Sequence, residues 1–344
     1  MTKFLARPLA QNTPEIPAFG FGGAPIGGLF KPVAESEARE TLEAALAQGV
    51  RYFDTAPFYG FGLSEHRVGN AVRGQNCAVS TKVGRLLAPG ARADAETAGW
   101  HEALPFRPVY DYGYDGVMRS FEDSLQRLGM ERVDILFAHD IGTMTHGAEN
   151  TKHMRDLATG GVRALAELRA SGRAGAIGIG VNEIAACLDA LEIGEWDAFI
   201  LAGRYTLLEQ DALEELFPRC AARGVSVIVG GPFNSGVLVG GDTWNYTAAP
   251  AGVIERARRL DEVCRGWGVP LPAAALQFPL GHERVASVIP GLRDRRELSE
   301  ALNWAEHFIP AAFWDSLKEE GLLRADAPAP AGNPFTGEAR EDEG

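Results

Sequence analysis

Short apolar runs alternate with amphipathic segments along the chain from about residue 19 to residue 303. The runs are apolar on both faces, as are strands of a parallel sheet that helices cover. The segments between them repeat apolar residues every three to four positions, and most end in glycine, which is typical of helices. Eight runs have this character, at residues 18–23, 51–55, 77–82, 133–139, 176–181, 197–202, 225–231 and 284–290.

Eight strand and helix units predict an α/β fold, a (β/α)8 TIM barrel, as a single domain over residues 1–324 with long loops at its C-terminal face. The alternative is a doubly wound dinucleotide-binding fold, which needs GxGxxG in its first strand-to-helix turn. That turn reads GFGGAPIGG here, and Pro25 stands where the third glycine is required. The barrel is therefore favoured. Residues 325–344 are acidic and rich in Pro and Ala, which predicts a mobile tail.

Composition and charge limit the kinds of partner that the protein could bind. Hydrophobic residues make up 46% of the chain and charged residues 23%, and no apolar run is long enough for a membrane span. The net charge of -13 argues against nucleic-acid binding. The N-terminus lacks the apolar core of a signal peptide, and four dispersed cysteines predict neither a zinc site nor a disulfide framework. We expect a cytoplasmic protein that acts on a small molecule, without membrane or nucleic-acid partners.

Polar residues stand where three of the early predicted strands end. Asp54 follows RYF, Lys82 follows CAVST and His139 follows VDILFA, while Tyr59 lies in the loop after Asp54. Each residue alone could have a purely structural role, as a turn cap, a loop aromatic, a surface cation or a core histidine. Strand ends of a barrel meet at one rim, however, and a buried lysine needs an acidic partner. We therefore expect the four side chains to form one site.

Such a group suits proton transfer. A neighbouring ammonium favours the charged form of a phenol, so we expect Lys82 to lower the pKa of Tyr59. Tyr59 would donate a proton to a carbonyl oxygen as hydride arrives, or accept the hydroxyl proton as hydride leaves. His139 would hydrogen-bond the same oxygen.

The chain resembles the aldo-keto reductase family over nearly its whole length. The segments FDTAPFYG, VSTKVG, LQRLGMERVDILFAHD and GVNE match its signatures. The resemblance implies a catalytic tetrad of Asp54, Tyr59, Lys82 and His139 and a nicotinamide nucleotide bound without a doubly wound fold. A non-catalytic nucleotide-binding subunit of the same fold and a metal-dependent barrel enzyme remain as alternatives. The scattered histidines argue against the metal-dependent enzyme, and no metal is expected.

The resemblance also implies where the nucleotide binds. Asp54 would lie near the nicotinamide ribose, and the loops after strands seven and eight would hold the pyrophosphate and the adenosine. Asn182 would hold the carboxamide, cap the following helix, or do both. Phe233 would stack on the nicotinamide. The other implied contacts are Gly22, Gly23, Gly231, Ser235, Gly236, Leu238, Gly291, Arg293, Glu297 and Glu300.

Departures from the family pattern bear on the nucleotide. Ala202 ends strand six where many members have glutamine, and Gly291 and Leu292 replace the lysine and serine often used for a 2′-phosphate. Glu297 and Glu300 would accept hydrogen bonds from a free 2′-hydroxyl. Arginines in the same loop would attract a phosphate. We expect NAD to be preferred, with NADP also possible.

Within the family, the chain most resembles the aldose 1-dehydrogenases, with pyridoxal 4-dehydrogenase as a close relative. This implies oxidation of a cyclic hemiacetal to a lactone. The substrate would be an aldose such as L-fucose, L-galactose or D-arabinose, or alternatively pyridoxal. A further alternative for the activity is a general aldehyde or ketone reductase. The expected substrate contacts are Tyr59, His139, His101 and Arg204. The insertion between about Leu86 and Gly116 would supply pocket residues, including Trp100, Phe106 and Tyr112.

Overall fold

A closed parallel barrel forms the centre of the molecule. The computed structural model describes residues 3–10, 13, 15–91, 96 and 99–338. Order in the eight-stranded sheet follows order in the chain, and parallel bridges from Phe19 to Val288 and from Gly22 to Gly291 join the first strand to the last. The barrel prediction is confirmed. The strands are β1 (Phe21–Gly22), β2 (Tyr52–Asp54), β3 (Ala78–Val83), β4 (Val133–His139), β5 (Ala174–Val181), β6 (Ala198–Ala202), β7 (Ser226–Gly230) and β8 (Val285–Ile289).

Amphipathic helices surround the strands. The helix Tyr114–Leu128 shows the principle, since Val117, Phe121 and Leu128 are buried on one face and Gly129 ends the helix with φ 65°. The described helices are Glu35–Ala47, Leu63–Val72, Tyr114–Leu128, Thr143–His146, Asn150–Asp156, Val162–Ala170, Ile184–Ile193, Leu216–Arg223, Ala251–Gly266, Leu271–Gln277, Arg295–Glu306 and Ala311–Glu319. Shorter 3₁₀ segments are Pro25–Gly27, Gly147–Glu149, Asp211–Leu213, Asn234–Val239 and Phe278–Gly281, and Leu157–Gly161 forms a π-helical turn.

Apolar side chains fill the barrel, as its closed geometry requires. Tyr52, Phe137 and Ile228 belong to this interior cluster, together with Leu9 and Ile16. The last two residues come from an N-terminal antiparallel hairpin, Ala6–Pro8 with Glu15–Pro17. The hairpin therefore completes the interior core.

Two hairpins follow barrel strands. The first pairs Arg85–Pro89 with Phe106–Tyr110 directly after β3, inside the long insertion. The second pairs Thr243–Trp244 with Thr247–Ala248 after β7. Both follow the carboxyl ends of strands, where barrel enzymes build their sites.

The C-terminal segment differs from the expected mobile tail over its described part. Phe335 is fully buried, its ring packs against Phe4 and Phe19, and its backbone oxygen accepts from the Leu5 N–H. Asn333 donates to the backbone oxygen of Ala305. The composition of the segment did not reveal that one aromatic residue anchors it to the barrel. Within the described residues, no helix has the length and apolarity needed to cross a membrane.

Candidate active site

An ion pair lies beneath the carboxyl ends of β2 and β3. The ammonium of Lys82 donates to Asp54 Oδ2 at 2.7 Å and to the backbone oxygen of Thr55 at 2.9 Å. The side chains of Lys82 and Asp54 are only 2% and 3% exposed. Ser80 donates to the other carboxylate oxygen at 2.7 Å. Strand pairing sets this contact, because Asp54 and Ser80 are directly opposite in register.

Tyr59 lies over this pair. Its ring centroid is 4.6 Å from the Lys82 nitrogen and 5.7 Å from the ring of His139, which meets it edge-on. The ring of Trp100 lies 5.7 Å away on a plane tilted by 31°. The three residues predicted from strand ends and Tyr59 are thus close together, and Trp100 from the insertion joins them.

The pKa of Tyr59 shifts in the direction opposite to our expectation. Burial raises this pKa well above its ordinary value, and the charges of Asp54 and Asp140 raise it further, whereas Arg85 lowers it. The predicted lowering by Lys82 is wrong, because burial of the phenol and the nearby carboxylates outweigh the cations around it. Tyr59 is therefore a protonated phenol at neutral pH in this structure.

His139 is uncharged at neutral pH. Burial lowers its pKa well below the ordinary value, and the nearby cations Arg85 and Lys82 lower it further. Its backbone oxygen accepts from the Tyr112 hydroxyl at 2.6 Å, which fixes the end of β4. A neutral imidazole can either donate or accept a hydrogen bond from a substrate oxygen.

A second ion pair, which the sequence did not reveal, adjoins the four residues and joins a buried arginine to a partly buried carboxylate. Arg85 donates to Asp140 Oδ2 at 2.5 Å and is 3% exposed. Its guanidinium carbon lies 4.1 Å from the ring centroid of Phe58. Arg85 follows β3 and Asp140 follows β4, so the pair forms across neighbouring strand ends. The KVGR and AHD motifs contained both residues, but only folding shows that they meet.

Two adjoining clefts open at this rim and share Tyr59. The first, about 570 Å³, is bounded by the second ion pair and by aromatic rings. Its walls include Phe58, Tyr59, Lys82, Arg85, Trp100, Tyr110, His139, Asp140, Met144, Thr145 and Asn182. The second, about 620 Å³, runs from Asp54 to the helix Arg295–Glu306. Phe30 and Tyr246 line both clefts, and their rings stack at 6.2 Å.

The second cleft contains most of the residues expected to hold a nucleotide. These are Gly22, Gly23, Asp54, Gly231, Phe233, Ser235, Gly236, Gly291, Arg293, Glu297 and Glu300. A Cβ added at Gly236, where φ is 114°, would have no described heavy atom within 4 Å, so this loop leaves open space. Arg293 Nε is buried without a hydrogen-bond partner among the described residues. An elongated cleft with glycine walls and a free buried donor fits a dinucleotide.

Charges at the far end of this cleft are paired. Arg293 contacts Glu297 at 3.1 Å and its backbone N–H donates to the same carboxylate at 2.8 Å. Arg296 donates to both oxygens of Glu300, at 2.8 and 3.0 Å. The two predicted acids thus neutralise the arginines beside them.

Several predicted contacts differ in detail. Asn182 lines the first cleft but is not a helix cap, because the helix Ile184–Ile193 begins after Glu183. Phe233 lines the second cleft, where its ring meets that of Trp304 edge-on at 5.6 Å, and its stacking on the nicotinamide stays a prediction. Leu238 is fully buried in the core and lines neither cleft.

The two additional substrate contacts predicted in loops are not in the cleft walls. His101 is exposed, and its backbone N–H donates to Gly28. Arg204 contacts Glu209 at 3.0 Å and donates to the backbone oxygen of Asn182 at 2.9 Å, so it supports a loop. Among the other insertion residues, Trp100 lines the first cleft, whereas Phe106 and Tyr112 do not. Residues 92–95 and 97–98 of the insertion lie outside the described residues.

Residues 18–320 match the Aldo/keto reductase family, and the chain therefore belongs to this family. It is an oxidoreductase, and aldo-keto reductases use NAD(P)(H). Among solved structures, the aldo-keto reductase from Bacillus halodurans in its holo form aligns with a TM-score of 0.70 at 23% identity, over 95% of this chain and 97% of that one. This similarity supports the fold.

Curated relatives are more similar in sequence. Pyridoxal 4-dehydrogenase from Microbacterium luteolum is 44% identical over 333 residues, covering 92% of this chain and 97% of that protein. D-threo-aldose 1-dehydrogenase from a Pseudomonas species is 37% identical over 324 residues, covering 90% and 95%. L-galactose dehydrogenase from Arabidopsis thaliana is 28% identical over 312 residues, covering 87% and 88%.

Proposed function

We propose that this protein oxidises the hemiacetal carbon of a cyclic substrate to a lactone, with NAD as the preferred hydride acceptor. The observation that carries the proposal is the position of Tyr59, over the buried Asp54–Lys82 pair and at the junction of two clefts. One cleft suits a nucleotide and the other a small substrate, so a reacting carbon between them would lie next to the phenol.

The proposed step balances with these groups alone and one co-substrate. The phenolate form of Tyr59, which is the minor form at neutral pH, accepts the proton of the hemiacetal hydroxyl while the C–H bond breaks and the C–O bond becomes the lactone carbonyl. His139, which is neutral, hydrogen-bonds the same oxygen and keeps it in place. Bound oxidised nicotinamide supplies the acceptor for the hydride. Lys82 and Asp54 form the floor of the site, where their opposite charges cancel.

The first cleft favours pyridoxal as the substrate. Four large hydrophobic residues at its mouth, Phe30, Tyr110, Met144 and Tyr246, are exposed, between 37% and 59%. Trp100 adds an aromatic surface beside Tyr59. Flat aromatic ligands bury well against such walls. The relative of 44% identity is named for pyridoxal, in agreement with this choice.

An aldose is the second candidate. Asp140, Thr145 and Asn182 also line the cleft and could bind hydroxyl groups. Two relatives are named for D-threo-aldose and L-galactose. Since sugar sites often combine an aromatic surface with several hydrogen-bonding groups, this class is tested alongside pyridoxal.

A substrate panel tests the proposal. The purified protein is assayed at the NADH absorbance band with pyridoxal, L-fucose, L-galactose and D-arabinose, and the product is identified as lactone by mass spectrometry. Tyr59→Phe should abolish turnover while nucleotide binding, measured by fluorescence titration, stays within about threefold of wild type. Absence of lactone from every substrate, or retention of most activity by the variant, would refute the proposal.

The preference for NAD is proposed from the paired charges of the second cleft. Glu297 engages Arg293 and Glu300 engages Arg296, so the described side chains that line this cleft offer no net positive charge to a 2′-phosphate. Steady-state kinetics with both nucleotides measure the preference. A higher kcat/KM with NADP would overturn this assignment.

A further inference from the structure

The first cleft contains buried nitrogen donors that no described residue pairs. Arg85 Nε and Trp100 Nε1 are buried without a hydrogen-bond partner among the described residues, and both side chains line this cleft. The two residues are each 3% exposed. A buried donor without an acceptor costs about 1–3 kcal/mol, so such groups are expected to meet an acceptor when a ligand binds.

The position of Arg85 is fixed on two sides. Asp140 holds one terminal nitrogen, and the face of the guanidinium lies against the Phe58 ring at 4.1 Å. The Phe58 ring in turn contacts Trp100 at 5.5 Å and His139 at 6.2 Å, both edge-on. The cation is therefore held rigidly beside the histidine and the tryptophan that flank Tyr59.

The charges around Arg85 indicate what net charge a substrate can carry in this cleft. Lys82 is balanced by Asp54 and Arg85 by Asp140, while His139 is neutral. A substrate with no net charge therefore adds no uncompensated charge to the site. A substrate that carries an oxyanion and a distant cation within one neutral molecule also allows Arg85 to form a charge-assisted hydrogen bond.

We propose that Arg85 is a specificity-determining residue that binds the ring oxyanion next to the reacting carbon of a hydroxypyridine hemiacetal, with Trp100 as a second donor. Pyridoxal has this chemistry, since its 3-oxygen is ionised in the neutral zwitterion and is ortho to the hemiacetal carbon. An aldose lacks such an oxyanion. The inference rests on the proposed function and narrows it to one class of substrate.

A pair of substrates tests the assignment. The hemiacetals of pyridoxal and 3-deoxypyridoxal differ only in the 3-oxygen of the pyridine ring, which the second compound lacks. Wild type should favour pyridoxal by roughly 30- to 100-fold in kcat/KM, the range expected for one charge-assisted hydrogen bond. Arg85→Met should reduce this preference to less than about threefold, mainly by raising KM for pyridoxal, because the contact is made in both ground and transition states.

Two further variants exclude a merely structural effect. Arg85→Lys keeps the charge that pairs with Asp140 but lacks the planar fork, and should give an intermediate preference. Arg163→Met removes an exposed arginine that also lies over a ring, that of Tyr114 at 4.6 Å, and should leave the preference unchanged. Nucleotide binding verifies that each variant is folded.

The outcomes separate this inference from the proposed function. Equal losses on both substrates in Arg85→Met, or no preference in wild type, would overturn the role of Arg85 while lactone formation upholds the proposed function. If no hemiacetal is oxidised, the proposed function fails. Equilibrium dialysis with pyridoxal then tests whether Arg85 binds this ligand. Wild type should retain pyridoxal at least about tenfold more tightly than Arg85→Met; equal binding, or oxidation of aldoses alone, would overturn the assignment.

Discussion

Replacing Lys82 with methionine would remove the cation of a buried ion pair and keep a side chain of similar length. Asp54 would lose its donor at 2.7 Å and retain only the Ser80 hydroxyl on its other oxygen. The backbone oxygen of Thr55 would also lose its contact with the ammonium. The variant would thus bury a carboxylate that no cation balances.

The expected loss of stability is large. Breaking a buried pair by removing one partner costs about 3–5 kcal/mol, because the remaining charge stays desolvated. The side-chain exposures of 2% and 3% place this pair in that class. Lys152 and Asp156 offer a matched control, since they are 2.6 Å apart on one helix but 57% and 30% exposed. Lys152→Met should cost no more than about 0.5 kcal/mol.

Urea unfolding followed by circular dichroism measures both variants. For Lys82→Met we expect the midpoint to fall by on the order of 1 M relative to wild type. Adding Asp54→Asn to Lys82→Met should recover part of the loss, since it removes the unpaired charge. Equal midpoints for Lys82→Met and Lys152→Met would refute the reasoning, as would a double variant less stable than the single one.

Three further predictions concern the pKa of Tyr59, the nucleotide and the C-terminal segment. Because the pKa of Tyr59 is raised, the phenolate is scarce at neutral pH, so kcat/KM for oxidation should rise by about tenfold per pH unit through the alkaline range; a flat profile would contradict this. Combining Glu297→Gln with Glu300→Gln frees the neighbouring arginines and should raise the ratio of kcat/KM for NADP to that for NAD by about tenfold; an unchanged ratio would argue against the charge argument. Phe335→Ala should lower the free energy of unfolding by about 3–5 kcal/mol, whereas Phe30→Ala, at a residue 42% exposed, should cost less than about 1 kcal/mol; similar losses would show that Phe335 is not part of the core.

The strands and the convergence of the four residues could be predicted because each signal is local. Asp54, Lys82 and His139 each end an apolar run, and a parallel barrel brings the ends of such runs to one rim. The direction of the pKa shift at Tyr59 could not be obtained in this way. It depends first on how deeply the fold buries the phenol, and then on the carboxylates of Asp54 and Asp140 that folding brings near it.

Contacts between loops could not be predicted from the sequence for a similar reason. Arg85 and Asp140 are 55 residues apart, and neither lies in a pattern that indicates its partner. Phe335 contacts residues from the opposite end of the chain, so its local composition indicated a tail where the structure has an anchored segment. The role of Asn182 as a helix cap was wrong because the helix begins one residue later than the sequence pattern indicated.

The residues proposed for hydride transfer and those proposed for substrate recognition come from different parts of the chain. Asp54, Lys82 and His139 belong to barrel strands, whose hydrogen bonds fix them, and we propose that they serve the hydride transfer itself. Arg85 stands between β3 and the insertion, Trp100 lies in the insertion, and Asp140 follows the end of β4. Substitutions in the insertion could therefore change which hemiacetal binds without disturbing Tyr59 and its buried ion pair. Substrate identity in this protein then has to be assessed from Arg85, Trp100 and their neighbours, since a fold shared at 23% identity is compatible with many substrates.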